Sequence, residues 1–173
     1  MKPGAGHAKG ASFERAVSKR LSLWLSDGLR DDLLWRSSLS GGRATVQFRA
    51  GTVNLTQSGD VSAIGAGAHE FCERFFTEIK HYADLRIARG LLCHTGELVN
   101  FWHTAVREAA KYGKRPLLIA RQNLYPTITV TEQPCDLFPG HAPVLSVHCW
   151  DTPAQVYLFD AVTKVRVKMV RNS

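Results

Sequence analysis

Phe75 to Tyr82, a helical stripe from Leu98 to Ala109, and the apolar run Pro116-Leu117-Leu118-Ile119-Ala120-Arg121 follow one another in a single stretch of chain. The first segment, Phe-Phe-Thr-Glu-Ile-Lys-His-Tyr, reads as a strand, and the last is short and continuously apolar, as a buried strand is. Between them Leu98, Phe101, Trp102, Ala105, Val106 and Ala109 recur at three- and four-residue intervals until Gly113 breaks the pattern. Parallel neighbours cannot be joined by a tight turn, and a helix of this length is the usual crossover. The spacing therefore predicts a βαβ unit in an α/β chain, with a mixed β-sheet flanked by helices.

Upstream, Phe13, Ala16, Val17, Leu21, Trp24 and Leu25 mark an amphipathic helix. Ser12 reads as its N-cap and Gly28 as its stop, which puts Glu14 in the first turn, where the helix dipole favours a carboxylate. Residues 1–10 are basic and Gly-rich and read as a mobile arm. Further short strands are expected over Leu33–Arg36, Ser58–Ile64, Thr127–Thr131, Val144–Cys149 and Val156–Phe159, and a strand or hairpin over Val46–Leu55, separated by Gly- and Pro-bearing turns. Trp24 and Trp102 lie on the apolar stripes and read as core. With 173 residues, 45% of them hydrophobic, the chain suits one packed domain over 11–173 and is short for two. Its core is expected over about 11–123, with extra C-terminal strands over about 124–173.

The 22 Lys and Arg outnumber the 15 Asp and Glu, and they are spread along the chain. A basic surface of net charge +7 favours a polyanion, because neutralising phosphates releases condensed counterions. Cys72, Cys93, Cys135 and Cys149 form no CxxC pair, so neither a zinc site nor a disulfide framework is indicated. No run approaches the ~18 apolar residues of a membrane span. No membrane is expected as a partner, and the expected compartment is the cytoplasm, with reduced thiols.

The chemistry concentrates between Gly59 and Tyr82. On a strand, side chains alternate faces, so Glu78 and Lys80 project together with Ile79 behind them. Alone, Glu-x-Lys is the pattern of a solvated strand face. Here the apolar flanks Phe75, Phe76 and Ile79 argue for partial burial, where unpaired charge is expensive. If the strand of Asp60 pairs with this one, two carboxylates converge beside an ammonium. A hard cation such as Mg²⁺ is held by one or two carboxylates plus water and phosphate oxygens, so this sparse set suits phosphodiester hydrolysis. Glu70 and Glu73 are rival ligands in the same stretch. Ser38, Ser40 and Arg43 in a hydroxyl-rich loop, and Arg121 and Gln122 after the apolar strand, are candidate phosphate contacts.

Four stretches together resemble the PD-(D/E)XK nuclease superfamily, most closely its Holliday junction resolvase and phage-type endonuclease branch. They are Lys9-Gly10-Ala11-Ser12-Phe13-Glu14-Arg15, Gly59-Asp60-Val61, Thr77-Glu78-Ile79-Lys80-His81-Tyr82 and Lys114 to Asn123, spread over residues 9 to 123. The family's Pro before the Asp is absent, the local string being Ser58-Gly59-Asp60. The resemblance implies a restriction-endonuclease-like αβββαβ core. It also implies that Asp60 and Glu78 ligate Mg²⁺, for which Mn²⁺ can substitute, that Lys80 is the catalytic lysine, and that Glu14 is a third carboxylate from the first helix. The expected activity is metal-dependent DNA endonuclease, selective for branched structures in recombination, with DNA as partner and a homodimer as the working form. The rivals are a restriction-type or exonucleolytic enzyme of the same fold and a non-catalytic DNA-binding protein of a phage or mobile element. His81, on the face opposite Lys80, reads as structural or DNA-proximal.

Overall fold

The structure, a computed structural model, describes residues 5–37 and 59–164. Helix α1 (Ala5–Leu25) buries Phe13, Val17, Leu21 and Trp24 along one stripe and leaves Arg15 and Lys19 exposed. It starts well before the expected Ser12 cap. Ala5, Ala8 and Ala11 have the highest helix propensity, and Gly6 and Gly10 do not interrupt them. Residues 5–10 therefore belong to the helix rather than to an arm, and Glu14 lies in its interior, away from the dipole's end. The C-terminus closes near Gly28: the Gly28 N–H donates to Leu23 O at 2.6 Å and the Asp27 N–H to Trp24 O at 3.5 Å. Asp27, with φ of 54°, takes the first left-handed position of this Schellman-type end, ahead of Gly28 at 86°.

Strands β1 (Leu34–Arg36) and β2 (Val61–Ala63) pair antiparallel as a separate two-stranded ribbon. Ser22 fastens β1 to α1, its hydroxyl donating to Ser18 O and accepting from the Leu34 N–H, each at 2.8 Å. The strand or hairpin expected over Val46–Leu55 falls outside the described residues. A 3₁₀ turn (Ala66–Ala68) and a short helix α2 (His69–Arg74) lead into β3 (Phe75–Tyr82).

The crossover then follows as α3 (Ile87–Cys93) and α4 (Glu97–Lys111), and β4 (Arg115–Gln122) pairs parallel to β3, with Glu78 opposite Leu118 and Lys80 opposite Ala120. The remaining strands, β5 (Ile128–Glu132), β6 (Leu145–Val147) and β7 (Ala154–Leu158), extend the same sheet antiparallel in the order β3-β4-β5-β7-β6. A single turn of helix, α5 (Phe159–Val162), ends the described chain. This five-stranded mixed sheet flanked by helices is a restriction-endonuclease-like α/β fold.

The sheet divides the core in two, as alternation along its strands requires. Phe75, Ile79, Leu117 and Ile119 pack with Val17, Leu21 and Trp24 of α1. Leu118, Ala120, Ile128 and Val130 pack with Leu98 and Trp102 of α4. Both tryptophans are core, and Trp102 additionally donates its indole N–H to Thr152 O at 3.0 Å.

Candidate active site

Strand β3 has β4 on one edge, and on the other edge the backbone of Gly59 and Asp60. The Asp60 N–H donates to Thr77 O at 2.8 Å, and Asp60 O accepts from the Ser37 N–H at 2.8 Å. Its carboxylate oxygen Oδ2 accepts the Ile79 N–H, also at 2.8 Å, and so takes a donor that a neighbouring strand would otherwise use. Three hydrogen bonds thus fix this one residue. Gly59 makes the approach feasible: its φ is 85°, and a Cβ there would stand 2.5 Å from Thr77 O. The expectation that a strand carrying Asp60 pairs along β3 needs correcting. Asp60 precedes β2, β2 pairs with β1, and contact with β3 is a single parallel bridge, Gly59 to Thr77.

Glu78 and Lys80 project from the same face of β3, with Ile79 buried behind them at 4% exposure. The Lys80 ammonium donates to Glu78 Oε1 and lies 5.4 Å from the centre of the Phe101 ring on α4. Phe101 in turn stacks on Tyr82 with ring centres 5.4 Å apart. The ammonium is therefore held from below by a carboxylate and from the side by an aromatic face.

Electrostatics make Asp60 the unusual member. Burial, and then the negative charge of Glu78, push its carboxyl from the ordinary 3.8 up to about 7; Glu14 adds to the push, while the Ile79 N–H and the Lys80 ammonium work against it. For Lys80, burial disfavours the charge, but the carboxylate of Glu78, by charge and by hydrogen bond, then Asp60 and Tyr82, outweigh it and raise its pKa. Lys80 is an ammonium at neutral pH. The site thus gathers more negative than positive charge around a carboxyl on a residue only 8% exposed.

Glu14 approaches from α1, only partly exposed, and its carboxylate accepts a hydrogen bond from Arg36 Nε at the end of β1. Sequence reasoning missed Arg36 as a site residue. Its only signal was position: a charged residue two places after the buried Leu34, and so on the same face of the strand. Among the described residues no group of three or more His, Cys, Asp or Glu lies close enough together to hold a metal ion. Asp60 and Glu78 nevertheless fit a hard cation. They are an oxygen-donor pair, one member of which has its pKa raised by burial and by the charge of the other, and Mg²⁺ takes its remaining ligands from water and phosphate.

The other candidates are dispersed. Arg121, which is in register with His81, reaches over the Phe13 ring at 5.8 Å, on the face away from Lys80. The Gln122 amide oxygen accepts the Ile87 N–H at 3.1 Å and caps the start of α3. His81 packs its ring 5.1 Å from Phe13 and sets Nε2 3.1 Å from Asn123 Oδ1. Glu70 pairs with Arg74 on the exposed side of α2, and Glu73 is exposed there too. Ser38, Ser40 and Arg43 lie outside the described residues.

The family described as "Phage putative PDDEXK endonuclease" matches residues 5–146, a span that takes in α1, Asp60, the Glu78-Ile79-Lys80 strand and the whole crossover. Neither the curated proteins nor the solved structures contain a match. With most of its length matched, from α1 through the site residues to β5, the chain belongs to the phage PDDEXK endonuclease family.

Proposed function

We propose that the protein is a Mg²⁺-dependent DNA endonuclease, with Mn²⁺ as a substitute, that acts on branched DNA in the manner of a Holliday junction resolvase. One observation supports it above the rest: a buried carboxyl, Asp60, clamped to β3 beside Glu78 and Lys80, its pKa pushed up to about 7 by burial first and then by the charge of Glu78. Asp60 and Glu78, with Glu14 behind them, would hold the cation, which when bound supplies a water of lowered pKa and positive charge against the scissile phosphate.

The rest is the work of the chain's own side chains. Lys80, fixed between Glu78 and Phe101, donates hydrogen bonds to an attacking water and to the charge that grows on the phosphate oxygens. Arg36 holds the Glu14 carboxylate in place. The spread basic charge grips the DNA backbone without reading sequence. A two-fold dimer places one such site on each of two strands. The expected compartment is the cytoplasm, in keeping with four unpaired cysteines; among the described residues no helix is long and apolar enough to cross a membrane.

Labelled junction, flap, duplex and single-stranded DNAs, incubated with Mg²⁺ and with chelator, test the reading. Mg²⁺-dependent internal cuts, fastest on the junction, are expected. Degradation from ends only, or cutting unchanged by chelator, would contradict it.

A further inference from the structure

A cleft of about 350 Å³ opens on the α1 face of the sheet, between α1, the turn after β4 and α5. Phe13 and Arg20 of α1 line it together with Arg121, Tyr125, Thr127 and Asp160. It lies on the opposite face of the sheet from Glu78 and Lys80, and Phe13 links it to the candidate active site: Phe13 neighbours Glu14 in sequence and packs against His81, the residue after Lys80.

Two guanidinium groups enter this space, and no carboxylate of the described residues lies within ion-pair distance of either. Arg20 spends its Nε on Thr163 Oγ1 at 3.0 Å. Arg121 is exposed and rests its guanidinium on the Phe13 ring, which orients the group without neutralising it. Asp160 lies in the same lining but forms no ion pair with them, so positive charge prevails. Tyr125 follows at once. Its N–H donates to Gln122 O at 3.2 Å, closing a tight turn that puts it in the same cleft lining as Arg121, and 47% of the residue is exposed. A forked cation that pairs with phosphate and an open aromatic face that takes a base are the two elements of single-strand recognition. The volume falls in the range of small-ligand pockets, and a base paired within a duplex has no open face to offer Tyr125.

We propose that this cleft binds one unpaired nucleotide of the DNA substrate, its phosphate on Arg20 and Arg121 and its base on Tyr125. The inference rests on the nuclease reading for its substrate and adds a preference: DNA with a single-stranded or unstacked position beside the cut is favoured over continuous duplex.

The test is binding, read by fluorescence anisotropy with chelator present, using a labelled single strand of about 12 nucleotides and a duplex of the same length. Tyr125→Ala is expected to weaken single-strand affinity about 5- to 100-fold while duplex affinity changes less than about twofold, and Tyr125→Phe is expected to bind like the unaltered protein. Arg121→Gln is expected to weaken single-strand binding and lower the slope of log affinity against log salt by about one. Unchanged single-strand affinity in Tyr125→Ala, or equal losses on both DNAs, would overturn the cleft. Because no cleavage is read, the two proposals fail separately. A protein that cuts nothing but shows the Tyr125 effect refutes the nuclease, and a Mg²⁺-dependent nuclease without that effect refutes the cleft.

Discussion

Asp60 concentrates the chemistry in one side chain, and its protonation makes that measurable. A carboxyl whose folded pKa is raised from 3.8 to about 7 contributes stability that is complete below about pH 4 and lost as pH rises through 7. About three units at ~1.4 kcal/mol each set a ceiling near 4 kcal/mol. Asp60→Asn keeps an acceptor for the Ile79 N–H and cannot ionise. In chelator it is expected to be more stable than the unaltered protein at pH 8 by about 1–4 kcal/mol, with the gap closing toward pH 4. Denaturant titrations at the two pH values check this, and a gap that does not change with pH would contradict the charge-crowded site. Mg²⁺ is expected to raise the stability of the unaltered protein at pH 8 and to leave Asp60→Asn unmoved. Lys80 gives a second residue-level test. Lys80→Ala is expected to lower the cleavage rate about 100-fold or more while DNA still binds, since its ammonium acts on charge that appears in the transition state. Lys80→Arg is expected to remain poorly active, because a planar fork does not replace a compact ammonium beside Glu78. Single-turnover rates near those of the unaltered protein would remove the catalytic lysine.

At the scale of elements, the site depends on one close backbone approach, that of Gly59 to β3. Gly59→Ala places a Cβ against Thr77 O and forces a left-handed backbone on alanine, so a loss of about 2 kcal/mol or more is expected in thermal or denaturant unfolding, together with loss of Mg²⁺-dependent stabilisation. Retention of both would mean that Asp60 does not need this bridge. The strand-helix-strand unit was legible in the sequence because long apolar periods specify it, and α4, β3 and β4 lie within a few residues of their expected bounds. The shorter elements were not. Helix α3 buries only Ile87 and Gly90, too few to show a period, and its first N–H is capped by Gln122, which lies 35 residues further on. Glu78 and Lys80 were readable from the two-residue period of a strand, whereas Asp60 reaches β3 through backbone hydrogen bonds that no side-chain pattern records. Arg36 escaped for a related reason: it joins the site only by its pairing with Glu14, which becomes visible when β1 is laid on α1.

Over the whole molecule, the excess of Lys and Arg bears on what the surface binds rather than on fold. If several of them displace counterions, the affinity for duplex should fall roughly as a power of salt concentration, by orders of magnitude between 50 and 200 mM if about six or more phosphates are contacted. A flat dependence would show that net charge +7 is not presented as a DNA-binding surface. The sheet carries the candidate active site at one edge, on β3, and the C-terminal strands β5 to β7 build outward from the other side of β4, away from that edge. The assignment as a whole stands or falls on whether the two carboxylates on that edge serve cleavage. The direct measurement is the Mg²⁺-dependent cleavage rate of the unaltered protein, Asp60→Asn and Glu78→Gln on one junction substrate, each first shown to be folded and to bind that DNA. Cleavage by the unaltered protein and a loss of about 1,000-fold or more in both variants is the expected result. Near-equal rates in all three would contradict the site.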